Sequence, residues 1–322
     1  MTTMTMPTLT NALPWFGSST DVKGLTTSKE VIEKASLDWK VNKSPVFYDN
    51  KGRYSKIPKS YAILREDSDE VLGIVGSQYK IVQNSDAFTF FDEIVKNKKV
   101  SYESAGCVNS NKIFIVAKLN KKIVVPGTDD VSETYIVLYT SHDGSSSVHL
   151  LPTAIRLSCV NALPGLIRSS SSDRASFRHI QSFDISSKNI VESAKKQLLL
   201  LDNYFENLED QIISMSETKI TNSQAMKFFE TLVPDNPNSK SNTRTKNIRE
   251  KLLENFKNSI NIEDKIKNST WSALNSITEY IDHQRPSRGN SPFKQSQVRT
   301  NSILLGNGAM LKRKAFKLAA SL

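Results

Sequence analysis

The chain reads as an α+β protein: an antiparallel, hairpin-rich sheet with a packed helix, followed by a mainly helical C-terminal half. Three observations predict this. Between Val46 and Val160 the apolar residues gather in short runs separated by polar turn residues, the pattern of strands. One pair of runs, Tyr135–His142 and Ser145–Leu151, flanks Asp143-Gly144, a dipeptide suited to a type I′ hairpin turn, whose two central residues need positive φ. From Ile190 onward the apolar residues instead step by three or four, the period of an amphipathic helix.

The elements follow in order. A polar N-terminal segment, residues 1–25, is expected to be extended or disordered. Thr27 and Glu30 stand at capping-box spacing, with Val31, Ile32 and Ala35 on one face behind them, so a helix starts here. Tyr61–Arg65 and Val71–Val75 flank the polar Glu66–Glu70 and predict a hairpin, with Gly73 and Gly76 marking a bulge or strand end. A helix capped by Asn84 or Ser85 runs to about Lys98, its stripe of Ala87, Phe88, Phe91, Ile94 and Val95 facing a core. Strands Ser101–Val108 and Lys112–Leu119 join through Asn109-Ser110-Asn111, and Ala154–Val160 is a further strand carrying Arg156. Arg168–Arg178, rich in serine and arginine, reads as a surface loop. This sheet domain spans 26–185.

A helical region, 186–284, comes next. Its long first helix, residues 187–215, places Leu198, Leu201, Phe205, Leu208 and Ile212 on one face. A second capping pair, Thr221 and Gln224, opens a helix using Ala225, Phe228, Phe229 and Leu232, which Pro234 ends. Helices over Thr243–Asn258 and Ser269–Asp282 follow. Pro286, Gly289 and Pro292 make Arg285–Asn301 a linker, and a short basic helix, Ala309–Ala320, completes the region 285–322.

Composition narrows the function classes. The 322 residues carry only two cysteines, Cys107 and Cys159, too few and too separated for a disulfide framework or a Cys-x-x-Cys zinc site. No apolar run is long enough to cross a bilayer, and the N-terminus lacks an export pattern, so the expected location is cytoplasmic with no membrane partner. The formal charge is +10. From His283 onward there is no Asp or Glu, while Arg285, Arg288, Arg299, Lys312, Arg313 and Lys314 are among the cations; a second stretch holds Lys240, Arg244, Lys246, Arg249, Lys251 and Lys257. Such runs attract polyanions.

Catalytic motifs are scarce. Tyr139-Thr140-Ser141-His142-Asp143-Gly144-Ser145 crowds a histidine, an acid and hydroxyls, but neighbours on a strand point to opposite faces, so His142 and Asp143 do not form an orienting pair. There is no Gly-x-Ser-x-Gly elbow and no P-loop, and the four histidines show no metal-ligand spacing. No catalytic residue, metal or cofactor is assigned. Arg156, between Ile155 and Leu157, points away from both, into solvent, a ligand groove or an ion pair with a strand acid. With Arg168, Arg174 and Arg178 it would line an anionic track, beside which Tyr139, Phe177 or Tyr102 would stack bases.

Several motifs together resemble the phage/plasmid-like protein family known as domain of unknown function 932. They include Leu13-Pro14-Trp15, Leu37-Asp38-Trp39, Val71-Leu72-Gly73-Ile74-Val75-Gly76, Ser141-His142-Asp143-Gly144-Ser145 and Arg156-Leu157-Ser158-Cys159-Val160-Asn161. Thr270-Trp271-Ser272-Ala273-Leu274-Asn275, Glu279-Tyr280-Ile281-Asp282-His283 and Leu305-Gly306-Asn307-Gly308-Ala309 continue the series. Pro164-Gly165 departs from it. The resemblance implies a mobile-element origin and brings no established active site. By analogy of architecture the chain is also similar to single-strand annealing proteins, which work as rings or filaments without nucleotide hydrolysis.

The expectation is therefore a nucleic-acid-binding protein, single-stranded DNA favoured, acting in replication or recombination and able to form a homo-oligomer. Its phosphate contacts are expected from Arg156, Arg168, Arg174, Arg178, Lys312, Arg313 and Lys314. Two alternatives stand beside it: a metal-dependent nuclease using His142, Asp143 and His149, and a host-takeover interaction module whose long helix docks a partner.

Overall fold

A computed structural model of the chain describes residues 19–98, 100–146, 148–158, 160–164, 176–177, 188–238, 241–258 and 262–322. After β1 (Thr20–Asp21) and α1 (Ser28–Lys34) come β2 (Val41–Asn50), β3 (Arg53–Arg65), β4 (Val71–Gly76) and α2 (Asn84–Lys98). Strands β5 (Ser101–Val108), β6 (Lys112–Val124), β7 (Val131–Ser141), β8 (Val148–Arg156), β9 (Asn161–Pro164) and β10 (Ser176–Phe177) follow. Helices α3 (Lys188–Glu217), α4 (Asn222–Leu232), α5 (Thr243–Asn258), α6 (Thr270–Glu279), α7 (Pro292–Leu304) and α8 (Asn307–Ala319) complete the chain. The architecture is α+β, with antiparallel sheets ahead of a helical half.

Two sheets form. The larger orders β1-β5-β6-β7-β8, and the far side of β8 is shared by β10 and β9; the smaller orders β2-β3-β4. Every pairing is antiparallel.

Alternation along β6 and β7 explains their nearly continuous apolar sequences. Ile113, Ile115 and Ala117 join one apolar cluster with Ile136 and Leu138, while Phe114, Val116, Tyr135 and Val137 join another that includes Ile303 and Leu304 at the end of α7. The sheet is thus covered on both faces, so neither face selects polar residues. The first cluster is continuous from Val22 through Phe205, Leu208 and Ile212 of α3 to Ala319. Those α3 residues are buried against the chain's own core. The apolar face that the interaction-module reading offers to a partner is already covered there.

Local signals set several boundaries. Thr27 caps α1 and Thr221 caps α4, each in a complete capping box with Glu30 or Gln224. The β7–β8 hairpin is present, Tyr139 pairing with His149, but its connection is longer than a two-residue turn and among its described residues only Gly144 has positive φ, +75°. Type I′ geometry occurs elsewhere. Asn50 pairs with Arg53 across Lys51 (φ 54°) and Gly52 (φ 81°), and Asp49 Oδ1 accepts the Gly52 N–H at 2.8 Å. Ala154–Val160 is also redrawn: β8 runs unbroken from Val148 to Arg156, and the chain then turns into β9.

The expected linker Arg285–Asn301 is in part a helix. Ser291 caps α7 and Pro292 occupies its first turn, where the missing proline N–H costs nothing. Gln297, Thr300, Ile303 and Leu304 bury its inner side.

Candidate nucleic-acid interface

The cations singled out in the sequence separate into three groups. Arg156 and Lys312 are buried. The Arg156 guanidinium pairs with Asp130, whose other oxygen accepts the Trp271 indole N–H at 2.8 Å. Lys312 Nζ lies 2.7 Å from Asp282 Oδ1 and donates to the Ala162 carbonyl at 2.6 Å. Asp282 Oδ2 accepts the Ala162 N–H at 2.8 Å. Burial lowers the Lys312 pKa and Asp282 opposes that shift. These two cations join strands to helices, and neither side chain meets the solvent that a phosphate track requires. The ion-pair alternative holds for Arg156, with a partner in the β6–β7 connection.

Arg313 is half-buried near Tyr139 and Tyr204; burial lowers its pKa and the two phenols act against that. Lys314 is exposed and reaches the Thr231 carbonyl at 3.3 Å. Arg168, Arg174 and Arg178 lie outside the described residues. Of the aromatic residues expected to stack bases, Tyr102 is buried and donates to Asp92 at 2.6 Å. Tyr139 is half-buried, stacked on His149 with centroids 5.2 Å apart. The Phe177 side chain is outside the described residues.

The histidine hairpin is a second joint. His142 is fully buried, with Nε2 2.8 Å from Asn84 Oδ1 and its ring edge-on to Trp39 at 5.3 Å. Asn84 Nδ2 also donates to the carbonyls of Leu37 and Trp39. Asp143 closes the turn by accepting the Ser145 N–H at 2.8 Å, and accepts from Asn111 Nδ2 at 3.2 Å. Burial alone raises the Asp143 pKa, but hydrogen bonds from Ser145 and Ser141 and the charge of Lys112 together hold the carboxyl below its ordinary value. A Cβ on Gly73 would lie 2.5 Å from Asp143 Cα, so glycine is needed for β4 to reach this turn. Among the described residues, no three His, Cys, Asp or Glu side chains are grouped to hold a metal ion.

The two basic stretches meet at a different place. After α6 the helix widens into a π turn over Tyr280–Gln284, closed by the Arg285 N–H on the Tyr280 carbonyl. Arg285 is then extended, as its position before Pro286 requires. Asn255 and Gln284 exchange amide hydrogen bonds of 3.0 and 3.1 Å, fastening this turn to α5. Between them opens a groove of about 630 Å³ lined by Thr243, Arg244, Asn247, Tyr280, Arg285 and Arg288, among others. That volume falls within the ordinary range of ligand sites.

Arg244 and Arg288 are exposed and Arg285 is half-buried. None of the three forms an ion pair among the described residues, whereas Lys246, Arg249 and Lys251 beside them are each paired with a carboxylate. Thr243 and Arg244 belong to the first turn of α5, so the positive end of that helix dipole adds to the field. All three arginines belong to the basic stretches visible in the sequence. What brings them together is an α5–π-turn contact between distant segments, which no local pattern records.

Fold and groove together define an α+β protein with an arginine-lined cleft on its helical half. Across residues 71–304 the chain matches the family described as a domain of unknown function (DUF932), and it belongs to that family. No curated protein and no solved structure matches it. The motifs singled out in the sequence fall largely at the two buried joints: Trp39, Gly73, His142 and Asp143 at one, and Arg156, Trp271 and Asp282 at the other. Among the described residues, no helix is long and apolar enough to cross a membrane.

Proposed function

We propose that this chain is a nucleic-acid-binding protein, with single-stranded DNA its favoured ligand, serving phage or plasmid replication or recombination in a host cytoplasm. One observation carries the reading: Arg244, Arg285 and Arg288 converge on one open groove, free of carboxylate partners among the described residues. Guanidinium groups hold phosphate oxygens through two parallel hydrogen bonds, and Tyr280 in the same lining supplies an aromatic surface against which a base can rest. The buried cations Arg156 and Lys312 hold the scaffold and take no part in binding. Arg313 and Lys314 remain available at the edge of α8.

Phosphate contacts release condensed counterions, so affinity should fall with salt by a logarithmic slope of about 0.7 per phosphate on a single strand. Fluorescence anisotropy of a labelled oligothymidine across a salt series reads this slope. The combined Arg244→Ala, Arg285→Ala, Arg288→Ala variant should lose about 2 from it, three contacts at about 0.7 each. A strand left unbound at low ionic strength, or a triple variant with the wild-type slope, ends the reading.

A further inference from the structure

We propose that the β2–β3 hairpin is a second nucleic-acid contact, an arm on which the bases of a single strand stack; this rests on the nucleic-acid reading above. The arm is a projection. β4 pairs with β3 only from Ser60 to Leu64, so between Phe47 and Lys56 the ribbon is two strands wide and closes through the Lys51-Gly52 turn. Both of its faces are open to solvent. Phe47, Tyr48 and Tyr54 are 54%, 49% and 78% exposed, which is unusual for three large rings within eight residues of a folded chain.

The register distributes them over both faces. Phe47 stands opposite Lys56, and Asp49 opposite Tyr54, so these four side chains share one face; Tyr48, Ser55 and Arg53 share the other. Each face therefore offers a ring beside a cation, the combination that takes a base by stacking and its phosphate by charge. From Lys43 to Lys59 the chain carries Lys43, Lys51, Arg53, Lys56 and Lys59 against the single acid Asp49. Asp49 is already engaged by the Gly52 N–H. Lys43 is committed to the carbonyls of Ser77 and Tyr79 and to the Tyr61 ring. Arg53, Lys51, Lys56 and Lys59 are exposed and form no ion pair among the described residues.

This charge decides the occupant. A second copy of the chain docking arm to arm would bring the same cations together, whereas a polyanion is attracted by all of them. Exposed rings on both faces favour unpaired bases, since a duplex keeps its bases stacked and out of reach.

The test uses the full chain with a labelled oligothymidine and a matched duplex, in parallel with the groove triple variant. Tyr48→Ala with Tyr54→Ala should weaken single-strand binding by about tenfold per ring and leave the salt slope unchanged. Tyr54→Phe, which keeps the ring, should bind as the wild type. Lys56→Gln should lower the salt slope. All these positions are at the exposed tip, and circular dichroism confirms that each variant is folded. Undiminished single-strand binding by the double alanine variant overturns the arm; if the groove variant loses affinity in the same experiment, the function stands without it. A double variant whose only change is a smaller oligomer by light scattering also overturns the arm and makes it a self-association surface. Wild-type protein that binds neither nucleic acid removes both proposals.

Discussion

Lys312 and Asp282 form an ion pair of 2.7 Å with both side chains sealed from solvent. In sequence Lys312 begins a Lys-Arg-Lys run that has every appearance of a phosphate-binding patch. In the fold it is wholly buried, and its counter-charge comes from thirty residues upstream. Removing the ammonium while keeping the carboxylate strands a charge in the core. Lys312→Met is therefore expected to cost about 3–5 kcal/mol, read as a lowered urea midpoint. Adding Asp282→Asn should return part of the loss, since the two side chains act as a unit. Arg156 and Asp130 obey the same logic. No local pattern names either partner, so the Lys312 role could not be read from the sequence and the Arg156 ion pair stood there only as one of three alternatives.

Asp143 gives a residue-scale prediction in pH. Its folded pKa lies below the ordinary value because hydrogen bonds from Ser145 and Ser141 and the charge of Lys112 together outweigh the effect of burial. A depressed carboxyl stabilises the fold above the unfolded pKa of about 4 and ceases to do so as pH falls through the folded value. Stability measured by urea titration should decline over that acid range, and Asp143→Asn should flatten the decline. An unchanged acid limb would mean that the turn does not favour the ionised form.

At the scale of elements, the contact of β4 with the β7–β8 turn depends on an absent side chain. Gly73→Ala places a methyl 2.5 Å from the Asp143 backbone, and such overpacking costs about 1–3 kcal/mol. A methyl added at Gly76, three residues on in the same strand, would meet nothing within 4 Å, and Gly76 has no left-handed φ. Thermal unfolding should show a lowered midpoint for Gly73→Ala and almost none of that change for Gly76→Ala.

Elements whose signal is local were legible. The pairs Thr27/Glu30 and Thr221/Gln224 are capping boxes in the structure as in the sequence, because a cap is complete within four residues. The strands with a dry face were legible too. The arm was not: exposed on both sides, it has no burial to impose alternation, and Pro45 and Pro58 interrupt what pattern there is. Its turn signal was present in Asp49-Asn50-Lys51-Gly52, while Asp143-Gly144, the stronger dipeptide, serves a longer connection. α7 was hidden by Pro292, which opens a helix there instead of preventing one.

For the whole molecule, the formal charge of +10 says less than where its cations finish. Among the described residues some are buried in joints, some are neutralised by neighbouring carboxylates, and others stay exposed, those of the groove, the edge of α8 and the arm among them. Buried contacts hold the scaffold together at Trp39–His142 and at Asp130–Arg156–Trp271. The groove is assembled from segments about forty residues apart, so only the folded chain possesses it.

The two-stranded tip of the arm has a consequence for handling the protein. Its outer backbone groups lack a third strand, and naked strand edges recruit one another into aggregates. Lysine and arginine along such an edge are the usual gatekeepers against that fate. Stripping the tip of Lys51, Arg53, Lys56 and Lys59 together would therefore leave three exposed rings on an unguarded ribbon, and the expected result is precipitation.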